Sequence, residues 1–165
     1  MNMILDTDIL SMLGKIGRAS LLKKLFPESD LAITFEVYNE ILIAKELGYD
    51  FVDDILNQQF KIIHLDPDLT RKYELLKGNL ANLHPGELTS ILICKKEGRD
   101  FATNDKKAKI FCNEVGVSWV DIADILRLCF VKQLLERKEI ELIISEIEEH
   151  DKTRIVKTEE IFNED

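Results

Sequence analysis

Apolar and polar positions follow two rhythms along this chain. Short, mostly apolar runs at Asn2–Asp6, Leu31–Thr34, Phe60–Leu65, Asp100–Thr103 and Val117–Val120 read as strands, most of them buried. Between them, apolar residues recur every three or four positions. That spacing predicts helices around Ile9–Leu13, Ala19–Leu25, Phe35–Leu47, Phe51–Gln58, Pro67 to about Lys77, Glu87–Glu97, Lys106–Val115, Ile122–Gln133 and about Glu136–Glu149. Punctuation agrees. Pro27-Glu28-Ser29-Asp30 breaks the pattern, Gly48, Gly98 and Gly116 are placed to end helices, Gly78-Asn79 closes another, and His84-Pro85-Gly86 opens the next. Strands alternating with helices predict an α/β fold, with a mostly parallel central sheet and helices on both faces. Residues 1–150 read as one domain, and Asp151–Asp165, polar and weakly periodic, as an arm or frayed tail.

Composition narrows the class. With 165 residues, 45% hydrophobic and 32% charged, the chain is long enough for one soluble domain with a real core. No run approaches a membrane span, and the N-terminus has no basic and apolar leader, so the expectation is a cytoplasmic protein with no membrane partner. Cys94, Cys112 and Cys129 show no ligand-like spacing; Cys94 and Cys129 fall in apolar rows and read as core. A net charge of −9 argues against a nucleic-acid coat protein, but not against an enzyme that meets phosphates through metal.

The acids carry the candidate chemistry. Asp6 and Asp105 each end an apolar strand run, at the sheet edge where open α/β folds bind ligands. Glu40 shares a helical row with Val37, Ala44 and Leu47, and Glu87 shares one with Ile91 and Cys94. Carboxylates on apolar rows are costly unless paired or metal-bound, and no Lys or Arg is placed to pair all four. Each also has a plain reading. Asp6 and Asp105 could cap the helices that follow, and Glu87 could answer a helix dipole. Glu36, one turn before Glu40, is the rival for the second position, and a dipole role at the helix start explains it. Asp8 is a supporting candidate; Asp121 reads as a helix cap.

At these residues the chain resembles the PIN-domain nucleases. Ile4-Leu5-Asp6-Thr7-Asp8-Ile9-Leu10 looks like their opening motif, and Thr34-Phe35-Glu36-Val37-Tyr38-Asn39-Glu40-Ile41 like their second. Gly86-Glu87-Leu88-Thr89-Ser90-Ile91 resembles the third, with Glu where Asp is common, and Phe101-Ala102-Thr103-Asn104-Asp105 the fourth. The resemblance implies a three-layer α/β/α sandwich and a metal-dependent ribonuclease, VapC-like members of toxin–antitoxin pairs included. It makes Asp6, Glu40, Glu87 and Asp105 catalytic ligands of Mg²⁺ or Mn²⁺, hard cations that take oxygen donors. It also implies an RNA substrate, a homodimer and an antitoxin-like protein partner.

Substrate contact is expected from Thr103 and Asn104, and from Lys106 and Lys107 toward phosphates, with Lys109 in the same cluster. Lys95, Lys96 and Arg99, and Arg18, Lys23 and Lys24, form further basic patches. The last two helices carry more apolar residues (Ile125, Leu128, Phe130, Leu134, Leu135, Ile140, Ile143, Ile144, Ile147) than one small domain readily buries, which again predicts a homodimer, with the tail adding to the contact. Two other functions compete. Asp6-Thr7-Asp8 also suits a phosphatase of the haloacid dehalogenase type, although Leu10 stands where that family offers Thr. A non-catalytic RNA- or protein-binding module, its acids only capping helices, is the other.

Overall fold

A computed structural model describes residues 2–78, 83–156 and 158–163. Asn79 of the expected Gly78-Asn79 stop and three residues of the expected tail, 157, 164 and 165, lie outside them. The strands are β1 (Met3–Leu5), β2 (Leu31–Thr34), β3 (Lys61–Ile63), β4 (Asp100–Ala102) and β5 (Trp119–Val120). They form one sheet in the order β3-β2-β1-β4-β5, and all four pairings are parallel. The described helices are α1 (Thr7–Lys15), α2 (Ser20–Leu25), α3 (Phe35–Glu46), α4 (Val52–Leu56), α5 (Pro67–Leu76), α6 (Pro85–Glu97), α7 (Lys106–Val115), α8 (Ile122–Val131), α9 (Arg137–His150) and α10 (Thr158–Ile161).

Three layers result from the period-two geometry of the strands. Met3 and Leu5 of β1 point into a core shared with α1–α4 and α8–α10, while Ile4 between them joins a second core with Leu69, Ile91, Cys94 and Cys112 of α5–α7. The chain leaves β1 toward β2 and β3, and later returns to β4 and β5 on the other side. The connections therefore diverge between β1 and β4. That divergence opens a crevice beyond their C-terminal ends, where ligands bind in such sheets. All three cysteines are buried and free. No helix among the described residues is long and apolar enough to cross a membrane.

Three expectations change. Helix α6 begins at Pro85 rather than Glu87, because proline's missing N–H and fixed φ suit the first helical position. The described part of the C-terminal segment packs on the domain as an arm rather than fraying from it. Ile155 and Ile161 are buried, Phe162 meets Phe130 edge-on with ring centroids 5.4 Å apart, and Lys15 pairs with Asp151 at 2.5 Å. Much of the apolar surplus of the last two helices is covered within the chain, although Leu134 stays 36% exposed. Ile125, Ile140, Ile143 and Ile147 are fully buried and Ile144 nearly so, against α1, α8 and the returning tail. The periodicity identified the buried face, but the tail and α1 cover it.

Candidate active site

Four elements deliver carboxylates to the crevice. Asp6 follows β1, Glu40 lies on the second turn of α3, Glu87 on the first turn of α6, and Asp105 precedes α7 after β4. Together with Thr7, Asp8 and His84 they line a cleft of about 310 Å³. No Lys or Arg lines it among the described residues.

Each acid is held by named donors. Asp6 is buried; its Oδ1 accepts the Thr7 N–H at 2.9 Å and its Oδ2 the Thr103 hydroxyl at 2.7 Å. The Thr7 hydroxyl donates to Glu40 Oε2, so two consecutive residues position two acids. Glu87 Oε2 accepts the His84 N–H at 2.8 Å in a capping box. Asp105 Oδ1 accepts the N–H groups of Lys107 and Ala108 at 2.7 and 2.8 Å, and thus caps α7. Asp8 accepts the N–H groups of Ile9 and Asn104 at 2.6 and 2.8 Å, tying the β1 and β4 loops together. Gly86 makes the assembly possible. A Cβ there would come within 2.9 Å of Glu40 Oε1 and 3.1 Å of Val37 Cγ2, so a side chain would displace the Glu40 carboxylate from its place in the cleft.

The cluster is electrostatically strained. Burial and the Asp8 charge push Asp6 well above the ordinary carboxylate range, with Glu87 adding to them, against the opposing pull of the Thr103 hydroxyl. Burial raises Asp8 to about 6 despite its two backbone donors, and Asp105 pushes the same way. Burial raises Glu87 too, again with Asp105 and Asp8 contributing. The four carboxylates are oxygen donors, and each keeps at least one lone pair beyond the bonds described. Among the described residues no group of three or more His, Cys, Asp or Glu side chains is gathered closely enough to hold a metal ion as it stands. The chemistry of the carboxylates themselves fits a hard cation, which takes oxygen donors and keeps several of its waters.

The sequence-derived candidates divide. Asp6, Glu40, Glu87 and Asp105 are brought together. Glu36 stays outside the cleft, its Oε2 buried without a hydrogen-bond partner. The row that singled out Glu40 is less apolar in fact than in pattern, since Leu47 at its end is 71% exposed. Thr103 is fully buried and spends its hydroxyl on Asp6, so it holds an acid rather than meeting substrate. Asn104 contributes its backbone N–H to Asp8. Lys106 and Lys107 are exposed just outside the cleft, while Lys109 is tied to Asp121 at 2.7 Å. Asp121 caps α8; burial raises its carboxyl, but Lys109 and the Asp124 N–H outweigh this and hold it below the ordinary value. Lys96 pairs with Asp66, and Arg99 with Asp30 and Glu97, which neutralises much of that basic patch. Thr7 and His84 were not singled out. The alternative signal for His84 was its place three residues before Glu87, where a capping box brings it to the same helix end.

The PIN-domain family model matches residues 2–160. No curated protein matches the chain in sequence. In fold it is similar to VapBC2 from Rickettsia felis, solved bound to a DNA fragment from the promoter, with 19% identity and a TM-score of 0.57 over 73% of this chain and 98% of that one. It is likewise similar to VapBC-1 from nontypeable Haemophilus influenzae, with 16% identity, a TM-score of 0.55 and the same coverage of each chain. A match across nearly the whole sequence, with the sheet order and acid cleft described above, means that the chain belongs to the PIN-domain family.

Proposed function

We propose that this protein is a metal-dependent ribonuclease, with Asp6, Glu40, Glu87 and Asp105 holding Mg²⁺ or Mn²⁺. The observation that carries the reading is the cluster itself: carboxylates from four elements line one cleft, and burial and mutual repulsion raise at least Asp6 and Glu87. A bound divalent cation supplies neutralisation of the scissile phosphate and activation of the attacking water. The chain's own residues do the positioning. Thr103 and the Thr7 N–H fix the Asp6 carboxylate, the Thr7 hydroxyl turns Glu40 toward it, and the His84 N–H aims Glu87. Lys106 and Lys107, exposed beside Asp105, are placed to meet the RNA backbone beyond the cleft.

The VapBC likeness supports a toxin of a toxin–antitoxin pair, with an antitoxin-like protein as partner. A homodimer stays part of this proposal chiefly on the family resemblance, because most of the isoleucines of the last two helices are buried within the fold. Family membership leaves the phosphatase alternative without support. The test is cleavage of a labelled oligoribonucleotide by purified protein in Mg²⁺, Mn²⁺ or EDTA. Cation-dependent cleavage that vanishes in Asp6→Asn is expected. Cleavage that survives EDTA, or that Asp6→Asn leaves intact, overturns the reading.

A further inference from the structure

An aromatic pair stands on the same sheet edge as the acids. Thr34 of β2 is in register with Ile63 of β3, so the next residues, Phe35 and His64, leave the sheet side by side. Ile4 of β1 is in register with Ala32, which carries the same edge on to Asp6. With strands about 4.8 Å apart, the ends of β2 and β3 that carry the pair lie roughly 5 and 10 Å along the edge from the end of β1. The two rings stack, with centroids 4.8 Å apart and planes at 29°. Phe35 is 40% exposed and His64 is also exposed, so the stack offers π surface to solvent instead of filling a core.

Its position is fixed from below. Phe35 opens α3, whose preceding Thr34 is fully buried and caps the helix through the Val37 N–H at 3.3 Å. Glu40 is on the next turn of the same helix. The acid cleft itself is a poor place to capture RNA by charge, since no Lys or Arg lines it among the described residues. Stacking needs no charge and accepts any base, and splayed bases of single strands are commonly received on Phe and His rings.

We propose that the Phe35–His64 pair is a stacking platform for the nucleobase adjacent to the phosphate held over the acids, which makes the substrate single-stranded RNA at that point. The proposal rests on the ribonuclease reading above. Its rival occupant is an apolar side chain of a protein partner.

The test uses the full chain and ten-nucleotide oligouridylates carrying 2-aminopurine at successive positions, whose fluorescence is quenched on stacking. Binding is followed in the Asp6→Asn background with Mn²⁺, and KM and kcat are measured in the otherwise wild-type chain. Quenching at one position is expected, and Phe35→Leu should abolish it. The same substitution should raise KM on the order of tenfold, the loss of one stacked base, with kcat and Tm little changed. Phe35→Trp should restore both signals. The KM ratio should hold between 50 and 200 mM salt, since stacking releases no counterions. If wild type cleaves RNA but Phe35→Leu leaves quenching and KM unchanged, the platform is wrong and the ribonuclease reading stands. If Phe35→Leu spares RNA but loses a co-expressed protein partner, the rings serve that partner and the proposal falls. If wild type neither binds nor cleaves any oligonucleotide in Mn²⁺, the ribonuclease reading fails and takes the platform with it.

Discussion

In the α8–α10 layer the isoleucine row has found its neighbours: Ile140, Ile143 and Ile147 are fully buried and Phe130 rests against Phe162, while Val131, Leu134 and Leu142 stay exposed. At the C-terminal edge of β1 and β4 the opposite holds. Asp6 and Glu87 are as buried as many core residues, yet they face like charges that raise their own proton affinity. One region spends its buried surface on stability and the other on a strained site. Burial by itself therefore says little about role; what matters is whether the buried group is satisfied where it lies.

The contrast is broken most sharply at Asp6. Asp6→Asn should lower cation-dependent RNA cleavage by more than the roughly 10- to 100-fold typical of losing a supporting residue, with the circular dichroism spectrum unchanged. In the other region, Ile143→Ala should cost about 2–5 kcal/mol in denaturant unfolding while cleavage per folded molecule is preserved. Should Ile143→Ala impair cleavage more than stability, the two regions are not separable. Removing Lys152–Asp165 belongs to the same arm: Tm should fall by several degrees because the core loses the cover that Ile155 and Ile161 give it, without a change of oligomeric state in light scattering.

Smaller effects sharpen the site side. Thr103→Val removes the hydroxyl from Asp6 at nearly constant volume and should cost about 10- to 100-fold in kcat. Gly86→Ala should act through Glu40, whose Oε1 a Cβ would crowd, and lower kcat more than Glu36→Gln does. If Glu36→Gln is the more damaging, the second ligand has been misassigned. For pH the sign follows from Asp8. Its folded-state value near 6 lies above the ordinary 3.8, so the native state binds the proton more tightly than the unfolded one. The charge penalty is full above about pH 6 and is relieved as pH falls toward 4. The stability of wild type relative to Asp8→Asn should therefore improve on acidification across that window, as read from urea midpoints.

Much of the fold was legible because strand and helix rhythms differ so plainly in this chain. The parallel α/β order follows from their alternation, and short runs such as Leu31–Thr34 have the observed limits. The acids stood out because Glu40 and Glu87 interrupt apolar rows. The capping reading and the cluster reading proved not to be rivals: Asp105 caps α7 and Glu87 closes a capping box from inside the same cleft. What the pattern could not carry was long-range. A row of isoleucines on α9 announces a buried face but not its cover, and here the cover comes from α1 and from a tail whose polar composition hides Ile155 and Ile161. The roles of Thr7 and Thr103 depend on hydroxyl contacts across 33 and 97 residues of sequence, which no local spacing encodes.

A divalent cation bound among the carboxylates would relieve the strain at the sheet edge. Thermal unfolding with and without Mn²⁺ at neutral pH tests it directly. At a hundredfold excess over Kd, native-state binding should stabilise wild type by about 2.7 kcal/mol, or several degrees in Tm. In Asp6→Asn and Asp105→Asn the metal-free protein should melt higher than wild type and the Mn²⁺ shift should shrink. Identical Mn²⁺ responses in wild type and both variants would contradict the account, and leave the acids as helix caps alone.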